Sequence, residues 1–130
     1  MTFNGDGTKM FVVGNISDSV YSYDLSTAYD ISTANYNQNF DMSGQDGTPG
    51  GVTFNGEGTK MFMVGKDNNN VYSYNVSTAY DLGSANYNQS FDVSGQENGA
   101  RGMTFNDDGS KMFVLGDNTD TAYRYSTTEE

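Results

Sequence analysis

Hydrophobic and polar positions along the chain come in short runs, and the runs return. Thr2-Phe3 is followed by the polar, glycine-bearing Asn4-Gly5-Asp6-Gly7, then by the apolar Met10-Phe11-Val12-Val13 and Gly14. The same order reappears from Thr53 to Gly65 and, slightly altered, from Thr104 to Gly116, an offset of 51 residues each time. Repetition at a fixed period outranks any local reading, because each copy must build the same supersecondary unit. The chain reads as two and a half copies of one 51-residue unit.

The clearest copy runs from Gly51 to Gly102. Gly51-Val52-Thr53-Phe54 predicts a short strand, and Asn55-Gly56-Glu57-Gly58 a hairpin turn in which Asn and Gly supply positive φ. Lys60 to Val64 is apolar on both faces, as in a strand sandwiched between neighbouring sheets. After the polar loop Gly65 to Asn70, Val71-Tyr72-Ser73-Tyr74-Asn75-Val76 predicts a third strand. A longer connection, Ser77 to Ala85, leads to a fourth strand from about Tyr87 to Val93, in which Tyr87 and Phe91 are spaced to share a face. No stretch predicts a helix.

Four antiparallel strands at a period near 50 fit one blade of a β-propeller. A lone blade leaves two apolar faces open, so blades must stack side by side and close into a ring. A linear stack of sheets or a β-sandwich is the alternative architecture. The predicted blades span 1–51, 52–102 and, as a partial third, 103–130.

Composition agrees with this and narrows the function. Of 130 residues 14% are aromatic, with 16 Gly and one Pro, which suits short strands joined by tight turns and argues against disorder. A formal charge of −11 repels phosphate backbones and anionic membranes, so neither nucleic acid nor membrane is expected as a partner. The absence of Cys and His removes zinc sites and His-based triads, and no cofactor motif is found. No segment reads as a transmembrane helix or signal peptide. Met1 takes the repeat position of Val52 and Met103, so the sequence opens inside a strand, as expected of a fragment or a short gene of a repeat family.

The pattern Phe-Asn-x-Asp/Glu-Gly-Thr/Ser-Lys-Met-Phe-Val, closing in Val/Ala-Tyr-x-Tyr, resembles the blades of the YVTN, NHL and TolB/WD40-like propeller superfamily over residues 1–125. The resemblance implies the fold, while function stays open, because such propellers include lactonases, phosphatases, scaffolds and lectin-like binders. The chain departs from the enzymatic members in lacking every His, and it lacks the spread of acidic ligands of a lactonase-like calcium site.

Counting strands sets the expected assembly. Two units hold four strands each, and the third holds three, without its outer strand. An arc of three blades exposes two apolar faces, and two such arcs give six blades, within the usual range of about 4–8. A homodimer closing a six-bladed ring is therefore expected, with a five-bladed count per dimer as the second choice.

Candidate sites follow from the loops. The turn Asn4 to Lys9 and its copies lack the spacing of a calcium loop and are read as hairpin chemistry. Asp30 with Asp81, and Asp41 with Asp92, recur one repeat apart on different blades and are read as structural. The tyrosine pairs 21/23, 72/74 and 123/125 are read as packing between blades, with hydroxyls reaching a polar partner.

The copies differ most in two loop sets that share one propeller face around the channel mouth. The second-to-third-strand loops supply Asp18, Lys66, Asp67, Asn68, Asn69, Asp117 and Asn118; the inter-blade loops supply Gln45, Asp46, Gln96, Glu97 and Arg101. Their oxygens and amides suit a sugar, another small ligand or a hard cation. Arg101 is also placed to pair with Glu97.

A non-enzymatic binding or scaffold module is the expected function, on the outside of a cell or a phage. The alternatives are a carbohydrate-binding propeller, a lactonase- or glycosidase-type enzyme with a metal at the channel mouth, and an engineered or excised fragment that only assembles.

Overall fold

A computed structural model describes residues 1–14 and 16–127. Asn15 of the first candidate loop and residues 128–130 of the third unit lie outside the described residues. The strands are β1 (Thr2–Phe3), β2 (Lys9–Gly14), β3 (Ser19–Leu25), β4 (Ala34–Asp41), β5 (Pro49–Phe54), β6 (Lys60–Gly65), β7 (Asn70–Val76), β8 (Ala85–Asp92), β9 (Ala100–Phe105), β10 (Lys111–Gly116) and β11 (Ala122–Ser126). They form three antiparallel meanders, β1-β2-β3-β4, β5-β6-β7-β8 and β9-β10-β11. The all-β, blade-like organisation expected from the repeat is observed.

The sheets stack face to face, with β5 beside β1 and β2 on one side and beside β9 on the other. Residues opposed across a ladder point to the same side. In the middle sheet Met61, Met63, Tyr72 and Tyr74 therefore look one way, and Phe62, Val71 and Ser73 the other. The first set meets the first sheet, where Phe11 packs on Phe54 at 4.5 Å and Phe40 meets Tyr74 edge-on at 5.4 Å. The second meets the third sheet through Phe62 on Phe105 at 4.5 Å. Burial on both sides is why β6 reads as an unbroken apolar run.

At the two ends of the stack the same positions are less covered. Met10, Val12, Tyr21 and Tyr23 are half-buried, whereas their counterparts Met61, Met63, Tyr72 and Tyr74 are buried. At the other end Leu115 is 54% exposed where Val64, its counterpart, is 0% exposed.

Three expectations need correction. A 3-10 turn forms in each long connection, at Ile31–Thr33 and Leu82–Ser84, because Asp30 and Asp81 accept hydrogen bonds from the backbone N–H of Ser32 and Gly83. Positive φ in the hairpin falls on Gly7, Gly58 and Gly109, while Asn55 stabilises the turn through its Oδ1, which accepts from the N–H groups of Thr59 and Lys60. Tyr87 and Phe91 do not share a face. A bulge opposite Ser73/Tyr74 inserts one extra residue in β8, so Tyr87 pairs with Tyr74 and Phe91 with Val71. Phe91 thereby reaches Tyr125 of the third sheet, with ring centroids 5.6 Å apart.

Candidate functional site

The two expected loop sets do come together, and the chemistry that joins them is specific. Asp46 leaves β4's end in the connection to β5 and turns under the β6–β7 loop of the next sheet. It is only 2% exposed. Its Oδ1 accepts from the N–H of Thr48 at 2.8 Å and of Asp67 at 3.3 Å. Its Oδ2 accepts from the N–H of Asn68 at 3.2 Å and from the Tyr72 hydroxyl at 3.4 Å. A buried charge is tolerable only when so many donors replace water.

One repeat later the arrangement recurs with a longer side chain. Glu97, 1% exposed, accepts from the N–H of Gly99 at 2.8 Å through Oε1. Its Oε2 accepts from the hydroxyl of Thr119 at 2.6 Å and from its N–H at 3.2 Å. These bonds, the Thr119 hydroxyl first, hold the Glu97 carboxyl below the ordinary carboxylate range against the opposing pull of burial. Asp46 and Glu97 are thus carboxylate clasps from one sheet's exit loop to the next sheet's loop.

The clasps need room. Gly65 and Gly116 end β6 and β10, and a Cβ on either would overlap the carboxyl group of Asp46 or Glu97. At Gly14, the same position in the first sheet, the only atom among the described residues that a Cβ would meet is Ser17 Oγ at 3.5 Å.

The other expected residues arrange around these clasps. Gln45 Oε1 accepts from the Tyr74 hydroxyl at 3.1 Å, and Gln96 Oε1 from that of Tyr125 at 3.0 Å. Burial raises the Tyr74 phenol far above its usual range and keeps it a donor. The Asn68 amide donates to the Gln45 carbonyl and to Tyr72 Oη, both at 3.1 Å. Asp67 Oδ1 accepts from the Thr48 hydroxyl at 2.7 Å, and Lys66 gives its N–H to the Thr48 carbonyl at 2.9 Å. Asn69 takes a positive φ of 54° and its Oδ1 accepts from the N–H of Ala100 at 3.4 Å.

Arg101 does not pair with Glu97. Its Nε contacts Asp117 Oδ2 at 2.8 Å, because the Glu97 carboxylate is turned inward and already saturated. Asn118 stands exposed in the same loop. Asp18 remains apart from the clusters: its backbone carbonyl accepts from Met42, and its Oδ1 is buried with no partner among the described residues.

Thr48, Thr119 and the two glycines were absent from the expected set. The carboxylate recurring 51 residues on, Asp46 then Glu97, was the signal for a shared role. Among the described residues no group of three or more His, Cys, Asp or Glu is placed to hold a metal, and no helix is long and apolar enough to cross a membrane.

No family model matches the chain, and no curated protein matches it. Solved structures do. A candidate 6-phosphogluconolactonase from Bacteroides fragilis superposes with a TM-score of 0.73 at 12% identity, over 98% of this chain and 34% of that one. The periplasmic gluconolactonase of Pseudomonas aeruginosa gives 0.69 at 16% identity, over 98% and 34%. The β-propeller domain of Cps50 (Swd1) from Myceliophthora thermophila gives 0.65 at 12% identity, over 98% and 39%. The chain spans little more than a third of the length of each. At these identities the likeness establishes fold alone, and the fold is that of consecutive β-propeller blades.

Proposed function

We propose that the chain is a propeller scaffold that joins other blades into a ring and offers a binding surface rather than a catalytic one. The observation behind this reading is the use made of the loop carboxylates. Asp46 and Glu97 are inward-facing clasps, and Asp67 and Asp117 are held by Thr48 and Arg101. Groups so engaged hold blades together and leave little acid-base or metal-binding capacity at that face.

Ring closure is a homodimer of three-bladed arcs in this proposal. The half-covered Tyr21 and Tyr23 at one end and the exposed Leu115 at the other are the surfaces that would meet. Arg124, which replaces Ser22 and Ser73 of the other blades, would then lie against an aromatic face. Light scattering should give twice the chain's 14.1 kDa, reduced to a single mass by Leu115→Lys. A monomeric wild type at high concentration would overturn the closure.

A second reading, a lactonase, draws on the names of two of the structural neighbours. Hydrolysis of glucono-lactone or its 6-phosphate above the spontaneous rate would favour it and overturn the scaffold reading. The glycan or small ligand expected at the channel-mouth loops belongs to the scaffold reading and is tested by array binding with Asn68→Ala and Arg101→Ala.

A further inference from the structure

Asparagine followed by glycine occurs at Asn4-Gly5, Asn55-Gly56 and Asn98-Gly99. Such a pair can react with itself, because glycine has no Cβ to shield its backbone nitrogen from the asparagine amide before it. The fold gives the pairs different freedoms. In the two hairpins the amide is held at both ends. Asn4 Oδ1 accepts from the N–H of Lys9 at 2.9 Å, and its Nδ2 donates to Thr8 Oγ1 at 3.2 Å. Asn55 Oδ1 accepts from the N–H groups of Thr59 and Lys60, and its Nδ2 donates to Thr59 Oγ1 at 3.0 Å. Asn98 lies in the connection from β8 to β9, and its side chain is exposed.

At Asn98-Gly99 the restraint acts on the glycine instead. Gly99 N–H donates to Glu97 Oε1 at 2.8 Å, and the same carboxylate is anchored to Thr119 through its other oxygen. Attack on the Asn98 amide requires the Gly99 nitrogen to give up its proton. The resulting negative charge would arise beside a carboxylate that is itself only 1% exposed. Like charges that close together and screened from water repel strongly. The reaction therefore waits on local opening of the clasp. The first junction carries no such amide at this place, since Gly47 stands one repeat before Asn98.

We propose that Asn98 is a self-modification site gated by the Glu97 clasp, whose conversion records opening of the junction between the second and third blades. The Gly99 nitrogen forms a bond to Asn98 Cγ, the Cγ–Nδ2 bond breaks, and ammonia leaves carrying a proton in place of the one the nitrogen gave up. Water then opens the cyclic imide at either carbonyl, leaving aspartate or, with the main chain lengthened by a carbon, isoaspartate. The change is hydrolytic overall and needs no oxidant. Either product adds a negative charge to a loop that already holds Glu97 and lies against Asp117. Isoaspartate also moves the Gly99 N–H away from Glu97 Oε1. A reversible opening thereby becomes permanent, and the third blade loses an anchor to the second.

The test incubates the full chain at neutral pH and follows each asparagine by peptide mapping with mass spectrometry. A synthetic peptide of residues 94–103 gives the unrestrained rate. Asn98 in the folded chain is expected to convert about tenfold more slowly than in the peptide. Glu97→Ala and Thr119→Val should each recover much of that difference, with Asn55 in the same samples unchanged. Thr119→Val keeps the side-chain size and the Glu97 charge, so it decides the matter if a parallel rise at Asn55 shows that Glu97→Ala has unfolded. Converted wild type should exchange the Thr119 amide hydrogen faster than unconverted protein. Equal rates in peptide and folded chain, an unchanged Asn98 rate in Thr119→Val, or unchanged Thr119 exchange after conversion would overturn the proposal.

Discussion

Asp46 occupies the space that Gly65 leaves by having no side chain, although the two belong to consecutive blades. The carboxylate reaches the loop's N–H groups only because β6 ends in a residue without a Cβ. Gly65→Ala should therefore displace the clasp and cost about 1–3 kcal/mol, the range for forcing atoms into a packed site. Gly116→Ala should behave alike, and Gly14→Ala, where the space is open, should be near neutral. Urea midpoints of the three variants check the ranking.

Removing the charge rather than the space tests the same contact. Asp46→Ala leaves the part-buried N–H groups of Asp67 and Asn68 without their acceptor, and a loss of about 1–3 kcal/mol is expected. Tyr72→Phe removes a single hydrogen bond to the same carboxylate and should cost about 1 kcal/mol. If Tyr72→Phe proves as costly as Asp46→Ala, the clasp is not the main partner of that loop.

Gly58 and Gly109 separate two demands on one position. Both take positive φ, and at Gly58 a Cβ would collide with the Tyr80 ring, whereas at Gly109 it would meet nothing among the described residues. Gly109→Ala should cost about 1–2 kcal/mol for the backbone alone, and Gly58→Ala distinctly more. Equal losses in thermal unfolding would mean that the packing of the Tyr80 ring over Gly58 contributes nothing.

Acid should weaken the fold through named carboxylates. Glu97, held low chiefly by the Thr119 hydroxyl, and Asp81, held low chiefly by Gln38, both have folded pKa values below their unfolded ones. Their contribution is complete above the unfolded pKa, about 4, and is lost as pH falls through the folded value. Relief of self-repulsion in a chain of charge −11 works in the opposite direction. The slope of stability against pH between about 5 and 3 should therefore be shallower in Glu97→Gln and Asp81→Asn than in the wild type. Parallel slopes would count against both assignments.

The strands were legible because Phe11, Phe62 and Phe113 stand at the same phase of one repeat, and burial on both faces wrote an apolar run into β6. The bulge in β8 was not legible: it depends on how Ser73 and Tyr74 register with their partners, and no residue type marks it. That the two loop sets adjoin was legible, but the direction of their side chains was not. Whether Asp46 points to solvent or inward is decided by the bare backbone at Gly65, a partner 19 positions away that composition and spacing do not connect to it.

Because each clasp springs from one blade and closes on the loop of the following one, the order of consecutive blades is coupled. A blade whose predecessor is unfolded lacks the acceptor for its loop amides, so neighbouring units should melt together rather than one by one. Lengthening such an array adds a sheet face and a clasp at each step, and its resistance to exchange should climb from the termini toward the middle. The polypeptide is in this sense a zipper whose teeth are single carboxylates, set 51 residues apart at Asp46 and Glu97.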